Sequence, residues 1–187
     1  MTLRLATPAD DIAEILVDEG AIEEKVHELG ARIAEDYRGR DLVLVSILKG
    51  ALPFLADLMR RIQIPLALDF LEVSSYGEGT QSSGVVRILK DLANPIEGRH
   101  VLVVEDILDT GQTLAHVVAH LRSQQPASVR LCTLLDKPSR RIVPIEIDYK
   151  GFEIPDKFVV GYGLDYAERY RNLPFIGVLK PEVYRSP

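Results

Sequence analysis

The feature that most restricts how this chain can fold is an alternation of unbroken apolar runs with helical patterns. LVLVSIL (42–48) and HVLVVED (100–106) are continuous and rich in β-branched residues, the pattern of strands buried on both faces. Each leads into a segment with apolar residues at helical spacing, GALPFLADLMRRI (50–62) and TLAHVVAHLRSQQ (113–125). SVRLCTLLDK (128–137) reads as a third buried strand and FVVGYGLD (158–165) as a fourth. Buried strands alternating with helices predict an α/β fold around a mostly parallel central sheet, with right-handed crossovers placing helices on both faces.

The remaining segments fit around that frame. A strand at 66–73, the stretch SSYGEGTQSSG (74–84) and VVRILKDL (85–92) read as an antiparallel hairpin. IAEILV (12–17) is a short edge strand, and Asp18 caps the following helix, whose apolar stripe is Ile22, Val26, Leu29 and Ile33. The 187 residues show no internal repeat or linker, so a single domain is expected. Its terminal segments, about 1–20 and 165–187, should pack together as a small hood over the carboxyl ends of the strands. Open α/β sheets bind their ligands at that edge.

Charge narrows the function. A net charge of −6 and a pI near 5.3 argue against a broad nucleic-acid-binding face. They leave room for a small phosphorylated ligand held by a few local cations and a divalent metal. No stretch approaches the roughly 20 apolar residues that cross a bilayer, and the N-terminus lacks the pattern of a secretory signal. Cys132 is the single cysteine and lies in an apolar run, where it reads as a core residue. The address expected from these features is the cytoplasm.

Familiar nucleotide motifs fail. No segment fits G-x-x-x-x-G-K-[ST], and GEGTQS lacks the third glycine of a dinucleotide fingerprint. His116 and His120 stand one helical turn apart but lack the glutamate of a zinc protease, so a solvated or packing face is the better reading. The stretch DTGQT (109–113) behaves differently. It joins a buried strand to a helix, and backbone N–H groups around Gly111, the helix N-terminus and the Thr110 and Thr113 hydroxyls can converge on one phosphate. Glu105 and Asp106 lie just below it, suited to accept hydrogen bonds from two vicinal sugar hydroxyls. Asp109 can reach whatever the sugar carries. Helix capping would explain one such acid; three within five residues favour a ribose-phosphate clamp.

VLVVEDILDTGQTL (101–114) resembles the signature of phosphoribosyltransferases that use phosphoribosyl pyrophosphate (PRPP). ILKGALPF, SSYG, CTLLDKPSRR and GFEIPDKFVVGYGLDYAERYRNLPFIGVL are similar to the hypoxanthine-guanine enzymes of that family, especially bacterial ones, in order and over nearly the whole chain. The resemblance implies the type I phosphoribosyltransferase fold and a magnesium-dependent purine salvage reaction. PRPP and hypoxanthine, with guanine as a second base, would give the nucleoside monophosphate and pyrophosphate.

The resemblance also implies roles for particular residues. Thr110, Gly111, Gln112 and Thr113 would hold the 5-phosphate, Gln112 through its backbone alone because other members often have Lys there. Lys49 and Gly50 would contact pyrophosphate, after a peptide bond that is often cis in the family, and Arg171 would contact it with a two-pronged guanidinium. Lys137 would donate to the purine's carbonyl oxygen at position six. Phe158 would stack on the purine, Val159 would read its edge through the backbone, and Asp165 would serve the purine site and, with Glu105 and Asp106, a magnesium shell. Asp109 would accept the purine's proton or stabilise charge there. Ser75, Tyr76 and the glycines 77, 79 and 84 would form a lid that closes during reaction. Family members usually form homodimers or homotetramers. Two rivals stand beside this reading: a transferase preferring xanthine or another base, and a PRPP-sensing regulator of the same fold.

Overall fold

The computed structural model describes residues 7–76 and 85–184, with Ser75, Tyr76 and Val85 described by backbone alone. The glycines 77, 79 and 84 of the expected lid lie outside the described residues.

Six strands form the central sheet: β2 (Leu42–Leu48), β3 (Leu66–Tyr76), β4 (Val85–Lys90), β5 (His100–Leu108), β6 (Ser128–Asp136) and β7 (Tyr149–Glu153). They lie in the order β4-β3-β2-β5-β6-β7, and only the β3–β4 pair is antiparallel. α1 (Glu19–Asp36) and α2 (Leu52–Arg61) cover one face, and α3 (Gln112–Ser123) covers the other. The continuous apolar runs follow from this double cover. Leu42, Leu44, Leu102 and Val104 pack into the layer with Ile22, Val26, Leu29, Ile33, Phe54 and Leu58. Val43, Val45, Val101 and Val103 point the other way, against Leu114, Val117 and Leu121. Each fully buried aliphatic side chain contributes about 1.5–3 kcal/mol. Breaking the alternation would therefore move a whole row of such residues to the wrong layer.

The capping expectation for α1 holds: the Asp18 carboxylate accepts from the Ala21 amide at 2.8 Å, and Ile22, Val26, Leu29 and Ile33 are its buried stripe. A second sheet is built from both ends of the chain, in the order β1 (Ile12–Val17), β9 (Ile176–Leu179), β8 (Val159–Val160), all antiparallel. A short helix, α4 (Pro181–Tyr184), follows.

Two expectations are corrected. FVVGYGLD is not the fourth strand of the main sheet; only Val159–Val160 are extended, and they pair with β9. Gly161 and Gly163 take φ values of 99° and 101°, which turn the chain out of a strand. The fourth parallel partner is β7, YKGFE, which the pattern missed because an edge strand with Lys150, Gly151 and Glu153 has no apolar run. β3 also extends to Tyr76, beyond the expected end at residue 73. His120 Nε2 lies 2.9 Å from an Asp91 oxygen and ties α3 to the segment after β4. Among the described residues no helix is long and apolar enough to cross a membrane.

Candidate active site

β5 delivers Glu105 and Asp106 to the carboxyl edge of the sheet, and the turn into α3 adds Asp109. Gly111 caps α3 with φ 85°, in the left-handed region, and a Cβ there would lie 2.5 Å from the Val143 carbonyl oxygen. Only glycine fits that position. The turn is braced by the chain that follows β6. The Ile142 and Val143 amides donate to the Thr110 carbonyl at 2.9 and 3.0 Å, and the Lys137 amide donates to the Leu108 carbonyl at 3.0 Å. Arg141 pairs with Asp136 and donates to the Leu108 carbonyl at 3.4 Å. The Gln112 amide lies 3.4 Å from the Thr110 hydroxyl. Thr110, Gly111, Gln112 and Thr113 thus form a short loop at a helix N-terminus with a fixed backbone, the geometry that suits an oxyanion.

Beneath the loop, Asp106 is buried and its carboxylate accepts from the Ile107 amide at 2.7 Å. The Glu105 Oε2 is buried with no hydrogen-bond partner. Burial and the neighbouring Asp106 hold the Glu105 carboxyl well above the usual carboxylate range. Burial also lifts Asp106 to about 6, against the opposing pull of the Ile107 amide, Glu105 and the charge of Arg171. Such a pair resists ionising together.

Stability follows with a definite sign. The unfolded chain releases these protons near pH 4, whereas the folded chain keeps the Asp106 proton to about 6 and holds the Glu105 proton well past the usual carboxylate range. The folded state therefore binds more protons in that window, and the stability of the ligand-free protein is lost as pH rises through it. Glu105→Gln should raise Tm at pH 7.5 by several degrees and leave it little changed at pH 4. An unchanged or lower Tm at pH 7.5 would contradict the burial argument.

The loop after β2 meets the C-terminal segment here. The Leu48–Lys49 peptide is cis. Gly50 lies so close that a Cβ on it would overlap the Asp106 carboxylate, and a Cβ on Gly163 would overlap the Gly50 carbonyl. Lys49 Nζ lies 3.4 Å from Glu168, and the Arg171 guanidinium lies 3.4 Å from the same carboxylate. Arg171 also pairs with Asp165 at 2.8 Å and donates to the Gly163 carbonyl at 2.8 Å, while its Nε is buried without a partner. Two cations therefore share one exposed acid, an arrangement that a polyanionic ligand can replace.

Lys137, Phe158 and Val159 are the residues expected at the purine. Lys137 is buried and its ammonium donates to the Lys157 carbonyl at 2.7 Å. Burial lowers its pKa, while Asp109 and Asp156 oppose the shift. Phe158 is 40% exposed and stacks on Tyr184 with ring centroids 4.9 Å apart. Val159 is buried in β8, with its backbone in the small sheet. Asp109 opens the phosphate-loop turn, and its Oδ1 accepts from Arg140 Nε at 3.1 Å.

The candidate residues thus gather at one edge, with one departure. Asp165 caps the Glu168 amide at 2.9 Å and pairs with Arg171, and among the described residues no three acids, histidines or cysteines converge on one metal position. Glu105 and Asp106 do fit magnesium, a hard cation that commonly takes one or two carboxylates and completes its shell from water and substrate phosphates. Of Ser75 and Tyr76 only the backbone, at the end of β3, is described. Sequence reasoning missed Arg140, Asp156, Gly163, Glu168 and Tyr184. The one available signal was PSRR directly after Lys137, at the same edge.

Comparison with known proteins agrees with this geometry. The family model described as a phosphoribosyl transferase domain matches residues 13–167. The hypoxanthine-guanine phosphoribosyltransferase of Bacillus subtilis is 54% identical over 176 residues, covering 94% of this chain and 98% of that protein. The crystal structure of a hypoxanthine phosphoribosyltransferase from Staphylococcus aureus superposes with a TM-score of 0.92 at 52% identity, covering 95% of this chain and 96% of that one. A bifunctional protein TilS/HprT of Listeria monocytogenes is 55% identical over 94% of this chain, but the chain spans only 27% of that protein's length. With a family match across most of its elements and more than half identity to full-length relatives, the chain belongs to the phosphoribosyl transferase domain family.

Proposed function

We propose that this chain is a hypoxanthine-guanine phosphoribosyltransferase, transferring the phosphoribosyl group of PRPP to hypoxanthine or guanine with release of pyrophosphate. The observation that carries the reading is the buried Glu105–Asp106 pair, with an unpartnered Glu105 oxygen, on the strand that runs into the braced loop at 109–113. In this reading a phosphorylated ribose spans acids and loop, and its C1 faces a purine slot at Lys137 and Phe158.

In this reading the loop binds the 5-phosphate and the acids accept from the ribose hydroxyls. That explains an otherwise costly unpartnered carboxylate oxygen on Glu105. Lys49 and Arg171 exchange Glu168 for pyrophosphate oxygens. Magnesium, when bound, supplies charge neutralisation of the pyrophosphate. As the C1–pyrophosphate bond breaks, C1 gains oxocarbenium character and the purine nitrogen N9 attacks it from the opposite face. Asp109 takes or stabilises the proton that the purine gives up. Lys137 donates to the oxygen at position six and rejects adenine, whose amino group there brings a second donor. We assign the chain to homodimers or homotetramers, as is usual for the family.

The test is nucleotide formation with PRPP, magnesium and each of hypoxanthine, guanine, xanthine and adenine. Turnover of the first two is expected. Preference for xanthine would move the chain to a sister specificity, and no turnover together with retention on nucleic acid at low salt would make it a regulator. PRPP affinity should also weaken as pH falls through about 6, because protonating Asp106 removes the negative charge that favours the ribose hydroxyls and a cation. Flat affinity from pH 5 to pH 8, measured by calorimetry, would remove the acids from the ribose site.

A further inference from the structure

We propose that Arg140 is a positioning residue for the reaction: it holds one oxygen of the Asp109 carboxylate so that the other faces the purine. The inference rests on the role read for Asp109 and deepens it. Arg140 ends the short 3-10 turn Pro138–Arg140, whose start is flanked by Lys137, and its amide donates to the Lys137 carbonyl at 3.1 Å. One rigid turn, with proline at its first position, therefore carries both the residue that reads the purine oxygen and the residue that touches Asp109.

The contact itself is one-sided. Arg140 Nε donates to Asp109 Oδ1 at 3.1 Å, and among the described residues Asp109 has no other hydrogen bond or ion pair. Oδ2 is thus left to accept a proton. A guanidinium that covered both oxygens would block the site; one held through Nε alone orients the carboxylate without occupying it. The guanidinium is steadied from behind, since its Nη1 lies 3.9 Å from Asp156 Oδ2. Asp156 belongs to the segment that continues into Lys157, whose carbonyl Lys137 contacts, and Phe158. The chain Asp156–Arg140–Asp109 links the wall against which the purine lies to the group that accepts its proton. Placing a carboxylate within reach of a reacting proton matters because misplacement alone slows reactions.

The side chains of Arg140 and Asp109 are 47% and 38% exposed, so the effect is modest, about 3–5-fold. The experiment measures single-turnover rates with hypoxanthine for wild type, R140Q, R140K, D109N and R140Q/D109N. R140Q is expected to be about 3–5-fold slower, with KM for PRPP unchanged. R140K should recover at least half of the loss, and the double variant should be no slower than D109N, since positioning is worthless without the carboxylate. R140Q at the wild-type rate, R140K as slow as R140Q, or a double variant showing the product of both losses would overturn the proposal. So would a drop in R140Q Tm, which would assign the arginine to the fold. D109N at the wild-type rate would instead overturn the reading of Asp109 itself, so the two failures are distinguishable.

Discussion

Asp109→Asn is expected to slow the chemical step by about 10²–10⁴-fold, the usual contribution of a general base, while leaving PRPP affinity near that of the wild type. Asn keeps the volume and hydrogen-bonding shape of Asp, so the turn between β5 and α3 should survive. Its backbone is held mainly by Thr110, Gly111 and the amides of Ile142 and Val143, none of which uses the Asp109 side chain. What Asn lacks is a negative charge and a site for a proton. The loss should therefore appear in single-turnover kinetics, where slow product release cannot mask it. D109N turning over at the wild-type rate would return Asp109 to the bland role of a turn residue paired with an exposed arginine.

The sheet was legible in the sequence because strands covered on both faces leave a one-dimensional trace: LVLVSIL and VLVVED have no polar side on which to place an ambiguity. β7 left no such trace. YKGFE is recognisable as a strand only from its pairing with β6, a contact made by the fold rather than by local pattern. FVVGYGLD misled for the converse reason: its apolar residues are buried, but by the small sheet, and its two left-handed glycines cut it short. The acids of β5 were readable because carboxylates in a buried strand are too costly to lack a purpose. Arg140, Asp156 and Glu168 were not readable, since exposed charges are the commonest residues on any surface. Their meaning lies in which groups they face, and Lys49 meets Glu168 only through a contact spanning 119 positions. The partners that the residues named by resemblance find within the chain could be learned only from the fold.

Those partners shape the second large effect, at Lys137. The free protein satisfies each group of the slot internally: Lys137 with the Lys157 carbonyl, Asp109 with Arg140, Phe158 with Tyr184. A purine that docks there finds an ammonium with three donors, one already used. Lys137 is buried just before a short turn, and its amine is held by the Lys157 carbonyl. It is pre-organised for a carbonyl acceptor. A hydrogen bond to a charged group contributes about 1.5–3 kcal/mol. Lys137→Ala should accordingly raise KM for hypoxanthine and guanine by about 10–100-fold, with KM for PRPP within about two-fold because the lost donor faces only the base. Discrimination against adenine should shrink in parallel, since removing the donor relieves the clash of donors as well as the favourable contact. Lys137→Gln, which keeps a neutral donor at shorter reach, should fall between wild type and Ala. If KM for PRPP rises instead while the purine values hold, Lys137 serves the phosphates, and the slot beside Phe158 must read its base through other groups.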